Sequence, residues 1–140
     1  MERDTVIKIL QEYYNGNDEE EFVFLFGSYA KGKSNDKSDI DVAVYLNENV
    51  SGEFYEYKMD EVCKLQELLG KKVDVVILNN AQPLLAHQVF RYGILLKGFD
   101  SRFLSEFRRL NFYRYLDQMH ISNIIFKKNK QRIKESVQGD

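Results

Sequence analysis

The chain of 140 residues contains one cysteine, Cys63, and one proline, Pro83. A lone cysteine excludes an internal disulfide and a thiolate zinc site. Its neighbours Val62, Leu65 and Leu69 point to a buried structural thiol rather than a nucleophile. Histidine is nearly as scarce. His87 precedes Arg91 by four residues and would share a helix face with it, but no third ligand is in view, so a metal pair is not expected there. Long apolar runs are missing too. None approaches a bilayer span, and Met1-Glu2-Arg3-Asp4 leads into no signal-type apolar stretch, so no membrane contact and a cytoplasmic location are expected. No internal repeat or low-complexity linker is present.

With 44% hydrophobic and 14% aromatic residues the chain can build one core, and disorder is excluded. The net charge of −2 is no polyanion-binding signature, so direct nucleic-acid binding is not expected. The charge is unevenly placed. Residues 1–99 carry −6 and residues 100–140 carry +4, which divides the chain into an acidic core and a basic C-terminal helical segment.

Two apolar runs, Phe22-Val23-Phe24-Leu25-Phe26 and Val42-Ala43-Val44-Tyr45-Leu46, read as buried strands. Between them lie Gly27-Ser28-Tyr29-Ala30-Lys31-Gly32, a polar loop over 33–37, and Ser38-Asp39-Ile40-Asp41. Strand side chains alternate, so Asp39 and Asp41 share a face. Two carboxylates on one face suit a divalent cation, because Mg²⁺ takes oxygen ligands and is usually held by a few carboxylates together with substrate phosphates. Gly27 allows close approach of backbone to a phosphate, and Ser28 with the following N–H groups can donate to it. Either pattern alone also fits an ordinary strand–turn–strand. A third carboxylate, Asp74, interrupts Val73-Asp74-Val75-Val76-Ile77-Leu78. It is either paired or cation-bound within the sheet, or turned to solvent by the alternation.

The remaining elements follow from helical spacing. A helix over 5–14 uses Asp4 as a cap, and the acidic run over 18–21 reads as a solvated loop. A second helix spans 53–69 and ends at Gly70, and a third opens at Pro83 and closes at Gly93. Ile94-Leu95-Leu96 forms a last short strand. The fold class expected is α/β or α+β, a small mixed sheet with helices over one face and a long C-terminal helix, in one or two pieces over 103–134. In that helix Phe103, Phe107, Leu110, Leu116, Met119 and Ile124 are expected to face the domain. Phe112, Tyr113, Tyr115, Ile121, Ile125 and Phe126 exceed one stripe and suggest a second contact surface, for a partner or for another copy. The basic run over 127–134 reads first as a solvated face.

Taken together, Gly27-Ser28, Gly32 and Ser38-Asp39-x-Asp41-Val42 resemble the signature of the polymerase-β-like nucleotidyltransferases, and within them the minimal nucleotidyltransferases encoded beside HEPN-domain toxins. The resemblance runs from Phe22 to about Lys97, with one departure: Lys31 stands where the family usually has Arg, keeping the charge and losing the planar fork. It implies Asp39, Asp41 and Asp74 as catalytic residues and ligands of two Mg²⁺ ions. It implies Gly27, Ser28, Lys31 and Ser38 as nucleotide-binding, with ATP as substrate. It further implies the antitoxin of a type VII pair, a protein adenylyltransferase that moves AMP to a tyrosine of a HEPN ribonuclease toxin. Two alternatives stand beside it: an antibiotic-type small-molecule nucleotidyltransferase, and an antitoxin acting by binding alone.

Overall fold

Both parities of the first two apolar runs are hydrophobic, which forces the sheet they form to be covered on both sides. The computed structural model describes residues 1–35, 37–50 and 52–138, the last without its side chain; Asp36 of the expected polar loop lies outside the described residues. The order is α1 (Arg3–Asn15), β1 (Glu20–Phe26), α2 (Gly27–Ala30), β2 (Ile40–Leu46), α3 (Phe54–Leu69), β3 (Val73–Ile77), a 3₁₀ turn (Leu78–Asn80), α4 (Pro83–Tyr92), β4 (Ile94–Lys97) and α5 (Arg102–Gln138). The four strands lie in the order β3-β2-β1-β4. β1 pairs antiparallel with β2 and β4, whereas β2 and β3 run parallel, joined by the crossover that parallel strands require, here α3. The mixed sheet is as expected from the sequence.

Its covering is not. Val23, Leu25, Val42, Val44 and Val75 face α1 and α3, packing on Val6, Leu10, Tyr14, Leu65 and Leu69. Phe22, Phe24 and Ala43 face α4 and α5, packing on Ala86, Val89 and Leu104. Helices therefore cover both faces rather than one. Gly70, at φ 66°, ends α3 by donating its N–H to the Gln66 carbonyl at 2.8 Å, and Pro83 occupies the first turn of α4.

Three local expectations are corrected. Helix α1 starts two residues early, so Asp4 lies inside its first turn, where its charge favours the helix N-terminus, and does not cap it. Cys63 is exposed, because it sits two residues from both Glu61 and Leu65 on the inward stripe of α3 and two residues is more than half a turn. The acidic run does not stay in solvent: β1 begins at Glu20, which is 3% exposed. Neither Glu20 oxygen is hydrogen-bonded among the described residues, since the nearby Tyr57 hydroxyl donates to Glu61 instead, at 2.6 Å.

Helix α5 is one continuous element, and only its beginning touches the domain. Leu104, Phe107, Asn111 and Tyr115 recur at helical spacing on the inward side. Phe107 sits among Phe22, Tyr45 and Phe90, Asn111 donates to the Pro83 carbonyl at 3.1 Å, and Tyr115 stacks on His87 with ring centroids 3.9 Å apart. Phe103, Leu110, Leu116, Met119 and Ile124, expected inside, are exposed, and Tyr115, expected outside, is covered. From 116 to 137 every side chain is exposed.

Candidate active site

The site grows from the end of β1. Gly27 follows Phe26 with φ 73°, a left-handed conformation that glycine adopts without penalty, and turns the chain into the single helical turn α2. Glycine is required there for a second reason. A Cβ at position 27 would lie 2.2 Å from Oδ2 of Asp41, so the Asp41 carboxylate rests directly over the turn. The turn is held from below: Tyr29 and Ala30 are buried, and the Tyr29 hydroxyl accepts a hydrogen bond from Lys71 Nζ at 2.8 Å. The Ser28 carbonyl accepts from the Lys33 N–H at 2.9 Å, leading into the loop before β2.

The second half of the site is set by strand register. The Ile40 N–H donates to the Lys72 carbonyl at 3.0 Å, and from there β2 and β3 run in step, pairing Asp41 with Asp74. Asp39, Asp41 and Asp74 all have the parity of Ala43 and Val76, so they project from the α4/α5 face of the sheet, beyond its aromatic filling. Burial raises the Asp41 carboxyl from its ordinary 3.8 to about 6, and the charges of Asp74 and then Asp39 push the same way. Asp41 therefore lies within the field of both other carboxylates. Lys72 Nζ lies 3.9 Å from Oδ2 of Asp39, but both groups are well exposed and the pair offsets little of the negative charge.

This donor set fits a divalent cation: hard oxygen ligands, an excess of negative charge that destabilises its own ionised state, and an adjoining turn of backbone N–H groups for an anion. Among the described residues no three acidic, imidazole or thiol side chains are drawn in around a single point. The aspartates are neighbours on one face, as expected of carboxylates that repel one another without a counter-charge, and Mg²⁺ in any case completes its shell with water and substrate phosphate.

The remaining sequence candidates lie around this centre. Lys31 is exposed just past α2, with Nζ 5.0 Å from the centroid of the Tyr92 ring. Ser38 is half-buried, and its Oγ accepts from the Asn35 N–H at 2.9 Å, closing the loop that delivers Asp39. Three contributors escaped the sequence. They are Lys72 beside Asp39, Lys71 under Tyr29, and Tyr92, whose ring is shared by Lys31 and Arg91. The pairing of the β2 and β3 starts would have found the lysines; nothing local in the sequence marks Tyr92.

Residues 8–102, more than half of the chain, match the family described as polymerase beta, nucleotidyltransferase, and the chain belongs to that family. Over 78 residues it is 33% identical to the protein adenylyltransferase MntA of Shewanella oneidensis, covering 56% of this chain and 54% of that one. Over 69 residues it is 39% identical to a Methanocaldococcus jannaschii protein provisionally named a protein adenylyltransferase, covering 49% of this chain and 64% of the relative. These matches thus span between half and two thirds of the relatives' own lengths. Among solved structures, a chain of a toxin–antitoxin crystal structure with AMP-PNP superimposes with a TM-score of 0.72 at 25% identity, covering 93% of this chain and 99% of that one. A chain from the structure of a tri-AMPylated Shewanella oneidensis HEPN toxin with its MNT antitoxin shares the fold, with a TM-score of 0.65 at 23% identity and coverage of 91% and 95%.

Proposed function

We propose that the chain is a Mg²⁺-dependent protein adenylyltransferase that moves AMP from ATP to a tyrosine hydroxyl of a HEPN-family toxin, and that it acts in the cytoplasm as the antitoxin of that toxin. The observation that carries this reading is the juxtaposition of Asp41 with both Asp74, its register partner, and Gly27, over which its carboxylate lies. One face thereby offers carboxylates for cations and, beside them, a turn for a triphosphate.

In this reading the triphosphate lies on the Gly27–Ser28 turn, where backbone N–H groups and the Ser28 hydroxyl donate to it and Lys31 and Ser38 border it. Asp39, Asp41 and Asp74 would hold Mg²⁺, which when bound would neutralise phosphate charge. Asp74, the most open of the three, takes the proton of the attacking hydroxyl. The new bond joins that oxygen to the α-phosphorus, and the bond to the β-phosphate breaks, its electron pair leaving with pyrophosphate. The enzyme's residues act by position and charge and form no covalent intermediate. Similarity to MntA of Shewanella oneidensis, and the fold shared with chains of toxin–antitoxin complexes, support the protein acceptor over a small molecule.

The test is to incubate the chain and its candidate HEPN partner with Mg²⁺ and each nucleoside triphosphate in turn, then weigh the intact partner. AMP-sized increments with ATP, absent for the Asp39→Asn/Asp41→Asn variant, are expected. An unmodified partner whose toxicity is nevertheless neutralised would replace transfer with binding alone, and modification of an aminoglycoside-type hydroxyl instead would replace the protein acceptor with a small molecule.

A further inference from the structure

Beyond Tyr115 helix α5 leaves the domain, and 116–137 carries a pattern the nucleotidyltransferase fold does not use. Leu116, Met119, Asn123, Phe126, Lys130, Ile133 and Val137 are spaced alternately by three and four residues, the period of a coiled-coil seam. Five of the seven are apolar, and Phe126, Ile133 and Val137 are 69%, 66% and 78% exposed. Asn123 and Lys130 occupy alternate seam positions of the kind that fix register and partner choice at a cost in stability. Ile121, Ile124 and Ile125 lie away from the seam and are exposed as well. Around 119–126 the helix is therefore apolar on more than one side, the signature of a helix meant to be enclosed. Most helical stability in proteins comes from tertiary packing of an apolar face, and among the described residues 116–137 has no such cover.

Charge decides between occupants. From 118 to 134 there is no Asp or Glu, while Lys127, Lys128, Lys130, Arg132 and Lys134 are all basic, with Lys127 and Lys134 flanking the seam and Lys130 within it. A parallel second copy would bring these like charges together, and an antiparallel one would set them against 118–126, which offers no Asp or Glu to meet them. A lipid surface matches poorly as well, since Asn123 and Lys130 interrupt the seam and the isoleucines face elsewhere.

We propose that residues 116–137 are a docking helix for a helical partner protein that encloses them in an apolar groove between two helices, with Asp or Glu along the rims. None of residues 116–137 belongs to the nucleotide site, so docking and ATP binding are mutationally separable.

The experiment compares the full chain with Phe126→Asp/Ile133→Asp, two exposed positions whose replacement leaves the core untouched. One probe is the HEPN protein, resting on the proposed function only for the identity of that protein. The other is a designed two-helix hairpin with a leucine groove and glutamate rims, alongside the same hairpin with lysine rims. The glutamate hairpin should bind and the lysine hairpin should not, with affinity falling as salt is raised. The variant should bind the glutamate hairpin and the HEPN protein about thirtyfold more weakly or worse, with unchanged ATP binding and melting temperature. Equal binding by wild type and variant overturns the proposal, as does indifference to rim charge. It is likewise overturned if the wild-type chain alone sediments as a dimer that the variant abolishes, or floats with anionic vesicles where the variant does not. Failure of the HEPN protein alone, with the glutamate hairpin still bound, removes the proposed partner and leaves the docking chemistry standing.

Discussion

Replacing Gly27 by alanine adds a single methyl group, and its two consequences can be separated. The first is backbone strain, because an L-residue held at φ 73° costs about 1–2 kcal/mol. For a domain of this size that lowers the melting temperature by about 3–6 °C. The second is local. The new Cβ falls 2.2 Å from Oδ2 of Asp41, and an ordinary contact needs about 3.5 Å, so the carboxylate must retreat by roughly 1 Å. A displacement of that size at a reacting centre costs about 10²-fold in rate. Gly70 provides the control, since its φ is 66° and an added Cβ meets nothing within 4 Å. Gly70→Ala should melt early and transfer normally; Gly27→Ala should melt early and transfer about a hundredfold more slowly. Single-turnover transfer beside thermal melting decides it. Equal rates in the two variants would refute the placement of Asp41 over the turn.

Three further outcomes follow from the same geometry. Folding raises the Asp41 carboxyl from 3.8 to about 6, so its contribution is fully present below about 3.8 and is lost as pH rises through 6; Asp41→Asn should therefore stabilise the metal-free chain at pH 8, by about 1 kcal/mol after allowance for solvent screening, while abolishing transfer. Buried Glu20 is raised from 4.5 to about 7, chiefly by desolvation and then by Glu61, with Lys97 partly opposing, so stability should decline between pH 4.5 and 7 by at most about 3 kcal/mol, and Glu20→Gln should flatten that decline in pH-dependent denaturant melts. Asp74→Asn should slow single-turnover transfer far more than it weakens nucleotide binding, because Asp39 and Asp41 remain beside the turn; matched losses in a binding titration and a rate measurement would move Asp74 out of the chemistry.

The centre of the site was legible because its parts are local. The Gly27-Ser28 turn, the two apolar runs and the i, i+2 spacing of Asp39 and Asp41 are contained within 22–46, and strand alternation alone puts both carboxylates on one face. Asp74 stayed ambiguous because its role depends on a parallel pairing across α3, which sequence periodicity does not reveal. The same limit hid Lys72 and Lys71. Cover on both faces was recoverable from the unbroken apolar run Phe22–Phe26, a pattern that differs from the clean alternation of a half-solvated sheet. Helix α5 was misread in its second half because apolar residues at helical spacing were taken to need this domain, when the helix simply extends past it. Glu20 was missed for the opposite reason: three acidic neighbours masked the first residue of a strand.

The most direct measurement on the site is diffraction from crystals of the chain grown with Mn²⁺ and a non-hydrolysable ATP analogue, using the anomalous signal to locate the metal. The expected result is manganese bound by the carboxylate oxygens of Asp39 and Asp41, with the triphosphate on the Gly27–Ser28 turn. Metal and triphosphate bound together elsewhere, with Asp39, Asp41 and Asp74 left in solvent, would contradict it.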